Sequence, residues 1–143
     1  MEKKKVSCLF CGATNNYPLG VSKKVVCGRC QKPLPHPGEV MDVSPEQLTT
    51  LVSWGKLPVL VDFYSSTCPP CEMMHPVVTS LAQRRAGELM VVRVNVDVYP
   101  HLAGQFQIQG VPTFIIFKGG HEIDRSVGAM SEPDFSLWVA SRA

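Results

Sequence analysis

All six cysteines of the chain fall in Cys-x-x-Cys pairs, and these pairs lie in two different contexts. Two pairs, Cys8/Cys11 and Cys27/Cys30, lie in a short lysine-rich segment at the N-terminus. The third pair, Cys68/Cys71, follows an apolar run that is typical of a buried strand. Two pairs at C-x2-C-x15-C-x2-C spacing indicate a metal site, whereas one pair between a strand and a helix indicates a redox dithiol. The pattern therefore predicts a dithiol enzyme with a small zinc module attached.

Charge is divided unevenly along the 143 residues, a length that fits one domain plus a small unit. Residues 1–37 carry seven Lys or Arg against one acid, whereas the remainder carries seven against eleven acids. No stretch is long enough to span a membrane, and the apolar run behind Lys3–Lys5 is too short for a signal peptide. We therefore expect a cytoplasmic protein, where paired cysteines are more often metal ligands or catalytic groups than structural disulfides.

The prolines between Pro33 and Gly38 predict a short, stiff linker that separates residues 1–38 from a domain at 39–143. The first segment is too short to bury a sufficient core without a metal or disulfides. Four thiolates complete a tetrahedral site with no open position, so the expected metal is one structural Zn²⁺. Its predicted ligands are Cys8, Cys11, Cys27 and Cys30.

Alternatives to this zinc site are two disulfides or a second redox dithiol. We expect Gly12 and Gly28, which follow Cys11 and Cys27, to provide the backbone freedom that tight turns need. The lysines of this segment are attributed to ordinary solvation rather than to nucleic-acid binding.

Strand and helix patterns alternate after the linker, which predicts an α/β domain with helices on both sides of a central sheet. Ser44, Pro45 and Gln47 indicate a helix start with a capping box. The predicted strands are Val40–Val43, Val59–Tyr64, Met90–Val96, Thr113–Phe117 and Glu122–Arg125. The other predicted helices are Pro70 to about Arg85, kinked at Pro76, then Pro100–Phe106, and a last one from Ser131.

Residues 39–143 resemble the thioredoxin family through five segments in family order and spacing. These are Val61-Asp62-Phe63-Tyr64, Cys68-Pro69-Pro70-Cys71, Val94-Asn95-Val96-Asp97, Gly110-Val111-Pro112-Thr113 and Phe117-Lys118-Gly119-Gly120. The N-terminal pairs resemble those of the bacterial zinc-containing thioredoxin 2 type. The resemblance implies a thioredoxin fold, a mixed β-sheet flanked by helices, preceded by a zinc-ribbon module.

The position of the third pair predicts the order of its chemistry. Disulfide exchange is carried out by a thiolate, and Cys68 precedes a predicted helix whose N-terminus favours negative charge. Cys68 is therefore the candidate nucleophile, and Cys71, one turn inside the helix, is the candidate resolving thiol. A static disulfide is the alternative.

Asp62 is a carboxylate within an apolar strand, where burial raises its pKa and suits it to accept a proton from the second thiol. The resemblance implies this role. It also implies that Arg93 is the basic residue loosely paired with Asp62 and that Pro112 is a cis-proline facing the dithiol. The alternatives are a hydrogen-bonded structural carboxylate at Asp62 and a trans loop proline at Pro112.

The dithiol loop departs from the usual Trp-Cys-Gly-Pro-Cys-Lys of thioredoxins. Here the loop is Thr67-Cys68-Pro69-Pro70-Cys71-Glu72. Pro69 removes a backbone N–H and Glu72 adds a negative charge, so both changes should make the Cys68 thiolate harder to form. His75 lies four residues after Cys71 and so shares a helix face with it. We expect an ordinary, partly exposed histidine, and the alternative is a buried imidazole beneath Cys71 that reaches Asp62 as a modulator.

These features predict a thiol–disulfide oxidoreductase that reduces protein disulfides through Cys68 and Cys71 by way of a mixed disulfide. We expect a monomer with one Zn²⁺, no organic cofactor, no membrane or nucleic-acid partner, and a thioredoxin-reductase-like electron donor. A more oxidising or isomerase-like protein is the alternative among enzymes. The alternative of another class is a zinc-ribbon sensing or binding module that uses the thioredoxin domain as a platform.

Overall fold

The computed structural model of the chain describes residues 2–21 and 23–143. Its elements are β1 (Lys3–Ser7), β2 (Thr14–Pro18), β3 (Met41–Asp42), α1 (Pro45–Trp54), β4 (Val59–Tyr64), α2 (Pro69–Arg84), β5 (Met90–Asn95), α3 (His101–Gln105), β6 (Thr113–Lys118), β7 (His121–Val127) and α4 (Glu132–Arg142). None of the helices in these residues is long and apolar enough to cross a membrane.

A five-stranded mixed sheet forms the centre of the molecule, with strand order β3-β5-β4-β6-β7. Strands β3, β5 and β4 are parallel, and β6 and β7 are antiparallel to their neighbours. One face of the sheet packs against α1 and α3, and the other packs against α2 and α4. The predicted α/β arrangement is therefore confirmed.

Local signals in the sequence account for the ends of several elements. The capping box that starts α1 is present, since Ser44 Oγ accepts from the Gln47 amide at 3.2 Å and the Gln47 side chain accepts from the Ser44 amide at 3.0 Å. Strand β4 has its predicted bounds. Helix α2 begins one residue earlier than predicted because Cys68 takes the N-cap position, and Pro76 lies within the helix.

Two strands that the sequence analysis did not predict lie in the N-terminal segment. Strands β1 and β2 form an antiparallel hairpin, and the loop between them carries Cys8 and Cys11. Val6 and Leu9 of this segment are buried in the same apolar cluster as Leu48 and Leu51 of α1. The segment thus shares a core with the residues that follow it.

The proline-rich stretch is packed rather than extended into solvent. Pro33 forms a bridge with Val26, Pro35 is buried, and the His36 ring lies edge-on to Tyr17 with ring centroids 5.2 Å apart. These contacts hold the stretch against the N-terminal segment.

The N-terminal segment and the dithiol lie at opposite ends of the parallel strands. The Ser7 amide lies 3.5 Å from Sδ of Met90, the first residue of β5. Cys68 instead follows the carboxyl end of β4. Six residues of strand separate these ends by roughly 17 Å.

Candidate active site and candidate metal centre

Cys68 and Cys71 are joined as a disulfide across the first turn of α2, with Cα atoms 5.2 Å apart. Cys68 is the N-cap residue, and its Sγ accepts the Cys71 amide at 3.2 Å. Cys68 is 7% exposed and Cys71 is 2% exposed, so the first sulfur is the more accessible of the two. An N–H directed at Cys68 Sγ stabilises negative charge on that sulfur.

The two prolines of the loop limit this stabilisation. Pro69 and Pro70 occupy the first two helical positions and have no N–H to donate. The next free amide after Cys71, that of Glu72, donates to the Cys68 carbonyl at 3.1 Å instead of to the sulfur. Within the first turn, therefore, only the Cys71 amide supports a thiolate on Cys68.

A polar network orders the loop that leads into Cys68. Asp97 accepts hydrogen bonds from the Ser65 hydroxyl at 2.7 Å and the Ser66 amide at 2.9 Å, and these bonds lower the pKa of Asp97. Asn95 donates to Ser66 Oγ at 2.9 Å. The sequence analysis gave neither Asn95 nor Asp97 a role of its own, although both lie at the carboxyl end of β5, on the edge where Cys68 follows β4.

The Val111–Pro112 peptide bond is cis, as the resemblance implied. Pro112 is buried, and the carbonyl oxygen of Val111 lies 3.7 Å from Cys68 Sγ. The Pro112 carbonyl accepts the Gly128 amide at 2.8 Å, and Thr113 Oγ1 donates to the Gly110 carbonyl at 2.6 Å. These bonds hold the loop beside the dithiol.

Asp62 is buried in the middle of β4, with 1% of its side chain exposed. Burial raises its pKa from 3.8 to about 6, and the positive charge of Arg93 opposes part of that rise. Arg93 Nε lies 3.6 Å from Asp62 Oδ2, an ion-pair distance that is too long for a hydrogen bond. Across residues 2–21 and 23–143, neither carboxylate oxygen of Asp62 has a hydrogen-bond partner.

His75 is exposed, as expected, and the alternative in which it lies beneath Cys71 and reaches Asp62 is wrong. The buried face of α2 consists of Cys71, Met74, Val78, Leu81 and Ala82. The centre of this face lies on the Met74 side of Cys71, and position 75 falls beyond its opposite edge. Glu72 is also exposed, on the surface beside the dithiol.

The four remaining cysteines form one group, here called the tetracysteine cluster, whose Sγ atoms all lie within 4.8 Å of one another. The shortest contacts join different pairs: Cys8 to Cys30 at 3.6 Å and Cys11 to Cys27 at 3.6 Å. A tetrahedron of sulfurs around Zn²⁺ at about 2.3 Å has edges of about 3.8 Å, so the tetracysteine cluster fits a tetrahedral ion.

Hydrogen bonds to the sulfurs also suit thiolate ligands. The Phe10 amide donates to Cys8 Sγ at 3.4 Å, and the Arg29 amide donates to Cys27 Sγ at 3.4 Å. Burial acts to raise the pKa of Cys27, but the donors of Cys30, Arg29 and Asn15 outweigh it and lower the pKa to about 6, whereas at Cys8 burial outweighs the donors and raises the pKa to about 12. Donors of this kind fix and tune metal ligands.

The two turns of the cluster have the same backbone geometry but different residues at the critical position. Gly12 follows Cys11 with φ +79°, and Gln31 follows Cys30 with φ +66°. The expectation that Gly28 provides this freedom is wrong, because the left-handed residue of the second turn is Gln31. Gly12 has a further constraint, since a Cβ there would lie 2.6 Å from Cβ of Trp54.

Comparison with known proteins identifies the family to which the dithiol domain belongs. The sequence model of the family described as Thioredoxin matches residues 39–141. The chain belongs to the thioredoxin family. Thioredoxin 1 of Nostoc sp. is 46% identical over 80 residues, which cover 56% of this chain and 75% of that relative. The thioredoxin of Synechocystis sp. is 47% identical over 76 residues, which cover 53% of this chain and 71% of that relative.

A solved structure supports the fold assignment. The thioredoxin of Malassezia sympodialis, Mala s 13, superposes with a TM-score of 0.67 at 30% identity, covering 74% of this chain and 93% of that one. Thioredoxin-family membership together with the Cys68–Cys71 disulfide shows that the chain is a thiol–disulfide oxidoreductase with protein-disulfide reductase activity. The family match begins at residue 39, after both cysteine pairs of the tetracysteine cluster.

Proposed function

We propose that this thioredoxin reduces protein disulfides with Cys68 as nucleophile and Cys71 as resolving thiol. The Cys68 thiolate attacks one sulfur of the substrate disulfide, forms a mixed disulfide and displaces the other substrate sulfur as a thiolate. The Cys71 thiolate then attacks Cys68 Sγ, which frees the second substrate thiol and closes the Cys68–Cys71 disulfide. Two electrons pass from the dithiol to the substrate. The observation that carries this order is the Cys71 amide, which donates to Cys68 Sγ at 3.2 Å.

Asp62 accepts the proton that Cys71 must lose before it attacks. Its pKa of about 6 lies near a working pH, where a proton acceptor is most effective. Its carboxylate oxygens are free of hydrogen bonds within the part of the chain that the structure describes. Cys71 lies on the buried face of α2, which packs on the face of the sheet that carries Asp62. Arg93 modulates the charge of Asp62.

Pro112 and the preceding carbonyl support the backbone of the substrate. The Val111 carbonyl lies 3.7 Å from Cys68 Sγ, so a chain bonded to that sulfur passes beside Val111 and Pro112. An extended segment there can pair with the backbone of Val111.

We further propose that residues 1–38 form a zinc-ribbon module and residues 39–143 the thioredoxin domain, as in the zinc-containing thioredoxin 2 type. One Zn²⁺ held by Cys8, Cys11, Cys27 and Cys30 is structural, because four thiolates leave no open position for substrate. When bound, the ion would tie together two loops that have little core of their own.

The proposed partners are disulfide-containing cytoplasmic proteins and a thioredoxin-reductase-like electron donor. One relative, the bifunctional thioredoxin reductase/thioredoxin of Mycobacterium leprae, is 37% identical over 92 residues, which cover 64% of this chain and 20% of that relative. Its name joins the two activities in one polypeptide. We propose that this chain acts as a monomer, with no organic cofactor and no nucleic-acid or membrane partner.

Insulin-disulfide reduction tests the proposal. The intact chain should accelerate insulin reduction with dithiothreitol, and also with NADPH and a thioredoxin reductase. A chain that serves only as a platform would accelerate neither reaction. The redox potential of the dithiol separates a reductase from the oxidising or isomerase-like alternative. Strongly oxidising dithiols have a stabilised reduced form, whereas Pro69, Pro70 and Glu72 all disfavour the Cys68 thiolate here, so we expect a reducing potential.

A further inference from the structure

Four polar side chains are gathered on one face of three neighbouring strands. Asp42 of β3 pairs in register with Arg93 of β5, and Arg93 pairs in register with Asp62 of β4. Tyr64 lies two residues beyond Asp62 on the same strand and therefore on the same face. Side chains directly opposite in paired strands lie about 5 Å apart at Cβ. Arg93 thus lies between two carboxylates and is within reach of both.

The guanidinium is nevertheless directed toward Asp62. Its Nε lies 3.6 Å from Asp62 Oδ2, and the described residues show no ion pair between Arg93 and Asp42. Asp62 is buried and Asp42 is exposed, so the charge of Asp62 attracts the guanidinium more strongly, whereas that of Asp42 is screened by solvent. The ion pair with Asp62 contains no hydrogen bond, and Arg93 Nε has no hydrogen-bond partner in residues 2–21 and 23–143. The ion pair alone therefore does not fix the orientation of the guanidinium.

Tyr64 contacts both the Arg93 guanidinium and the carboxylate of Asp42 that competes for it. The Arg93 guanidinium carbon lies 3.8 Å from the centroid of the Tyr64 ring, which is a close cation–π contact. The Tyr64 hydroxyl donates to Asp42 Oδ1 at 2.5 Å. One side chain therefore supports the guanidinium with its ring and engages the competing carboxylate with its hydroxyl.

We propose that Tyr64, with Asp42 as its hydrogen-bond partner, is a positioning residue that holds Arg93 against Asp62 and so sets how readily Asp62 takes up a proton. The inference rests on the proposed role of Asp62 as the proton acceptor for Cys71. It extends that role to Tyr64 and Asp42, which act on Asp62 through Arg93.

Few charged or titratable groups face Asp62 from the elements packed around it. Arg93 faces it from β5, Asp42 from β3 and Tyr64 from its own strand, while its neighbour on β6 is the apolar Phe114. Cys71 of α2 joins this set only when the dithiol is reduced. The Arg93 charge lowers the pKa of Asp62 and the Asp42 charge raises it, so moving the guanidinium from one carboxylate to the other would change the proton affinity of Asp62.

The test is the titration of the Asp62 carboxyl carbon, followed by NMR in the intact chain with Cys68 and Cys71 in the disulfide so that neither of these thiols titrates nearby. Replacing Tyr64 with Leu should raise the Asp62 midpoint by about half a pH unit or more, because the cation is no longer held beside it. Tyr99, a half-buried tyrosine that packs on the other face of the sheet, provides the matched control. Tyr99→Leu should leave the Asp62 midpoint where it is.

A chain that carries Arg93→Met tests whether Tyr64 acts on Asp62 through Arg93. Arg93→Met should raise the Asp62 midpoint, and adding Tyr64→Leu to it should cause no further shift. An unchanged midpoint in Tyr64→Leu, or an equal shift with and without Arg93, would overturn the proposal.

A milder variant tests the hydroxyl if the leucine variant does not fold. Tyr64→Phe keeps the ring but frees Asp42 to attract the guanidinium, so the midpoint should rise, and Asp42→Asn in the same chain should abolish that rise. A rise that persists without the Asp42 charge would overturn the competition between the two carboxylates.

Release of the mixed disulfide, measured against pH, separates this inference from the proposed function. If the Asp62 midpoint moves as expected but the pH profile of release does not, Tyr64 still positions Arg93, and the proposed role of Asp62 in proton transfer fails. If the midpoint does not move, the positioning role fails even when insulin reduction is normal.

Discussion

The two ends of the central strands use the same Cys-x-x-Cys spacing in different ways. At the dithiol end, both sulfurs of one pair face each other across the first turn of α2 and form a disulfide. In the tetracysteine cluster, the shortest contacts join cysteines of different pairs. A pair at a helix start therefore closes on itself, whereas pairs in two loops of matched backbone geometry turn their sulfurs toward a common centre.

The spacing alone does not decide between these outcomes. The residue after the second cysteine differs: Glu72 continues a helix, whereas Gly12 and Gln31 have left-handed backbone that ends the turn. The left-handed residue lets the chain fold back, so that both sulfurs project to one side. The element that carries the pair therefore determines whether its two sulfurs join each other or turn toward the sulfurs of a second pair.

The largest expected effect separates the two cysteines of the dithiol. Cys68→Ser should lower insulin reduction by at least about 1,000-fold and trap no substrate, because the attacking thiolate is gone. Cys71→Ser should be comparably inactive but should accumulate mixed disulfides, which nonreducing gels detect. Cys27→Ser in the tetracysteine cluster is the matched control and should retain disulfide exchange wherever the domain remains folded. Equal trapping by the first two variants would remove the assigned order of attack.

Metal removal should have the next largest effect, and it tests the structural role proposed for the tetracysteine cluster. A strong chelator under reducing conditions should abolish hydrogen-exchange protection of β1 and β2, because their loops depend on the ion. Residues 39–143 should remain folded but lose stability, since Val6 and Leu9 pack on α1 and each buried apolar side chain contributes about 1.5–3 kcal/mol. Unchanged protection and an unchanged melting temperature after complete metal removal would show that the cluster has no structural role.

Burial of Asp62 should give a pH dependence of stability at the dithiol end. The pKa of Asp62 is raised from 3.8 to about 6 on folding, so the folded state binds this proton more tightly. The resulting stabilisation is fully present below about pH 4 and is lost as the pH rises through about 6. Asp62→Asn should remove this loss. The free energy of unfolding of the variant, relative to that of the unaltered chain, should therefore be higher at pH 8 than at pH 4 by up to about 3 kcal/mol.

The exposed Asp97 provides a control of opposite sign. Hydrogen bonds from Ser65 and Ser66 lower its pKa, so its stabilisation is lost as the pH falls. The free energy of unfolding of Asp97→Asn, measured with urea, should therefore fall slightly less than that of the unaltered chain as the pH is lowered across the same range. If Asp62→Asn keeps the wild-type pH dependence of stability, Asp62 is not the group that titrates.

The smallest expected effect concerns the charge beside the dithiol. Glu72→Lys should let the Cys68 thiolate form at a slightly lower pH, and the effect is small because an exposed charge near the helix start is screened by solvent. Ultraviolet absorbance of the thiolate against pH measures this shift. Glu88→Lys, a change of the same charge at an exposed position beyond the other end of α2, should have no effect on the thiol. A raised pKa in the Glu72 variant would contradict the assigned electrostatics.

Much of the fold could be predicted because single residues fix it locally. Ser44 and Gln47 mark the start of α1, and the apolar run from Val59 to Tyr64 gives β4 its bounds at both ends. The hairpin of β1 and β2 could not be predicted in this way. Only Val6 and Ser7 of β1 are buried, and β2 has no fully buried residue, so the alternation that reveals a strand is absent.

The candidate site was predictable where it rests on spacing within one element and was not where it depends on register between elements. Cys68 precedes the helix as its position predicts, whereas the cis bond before Pro112 was expected only from the family resemblance. The position of His75 could not be decided from the sequence, because helical spacing alone does not show which side of Cys71 faces the core. The contacts of Arg93 with Tyr64 depend on how β4 and β5 align, which no single stretch of sequence reveals.

Native mass spectrometry of the protein during graded oxidation tests the central claim most directly, namely that one cysteine pair exchanges electrons while the other four thiols hold an ion. The intact chain is purified reduced, exposed to glutathione buffers of rising potential, and examined for bound metal and, after digestion, for disulfide positions. The account predicts that the first disulfide joins Cys68 and Cys71 and that one Zn²⁺ remains bound per chain when it forms. Loss of the metal together with the first disulfide, or a first disulfide within the tetracysteine cluster, would contradict it.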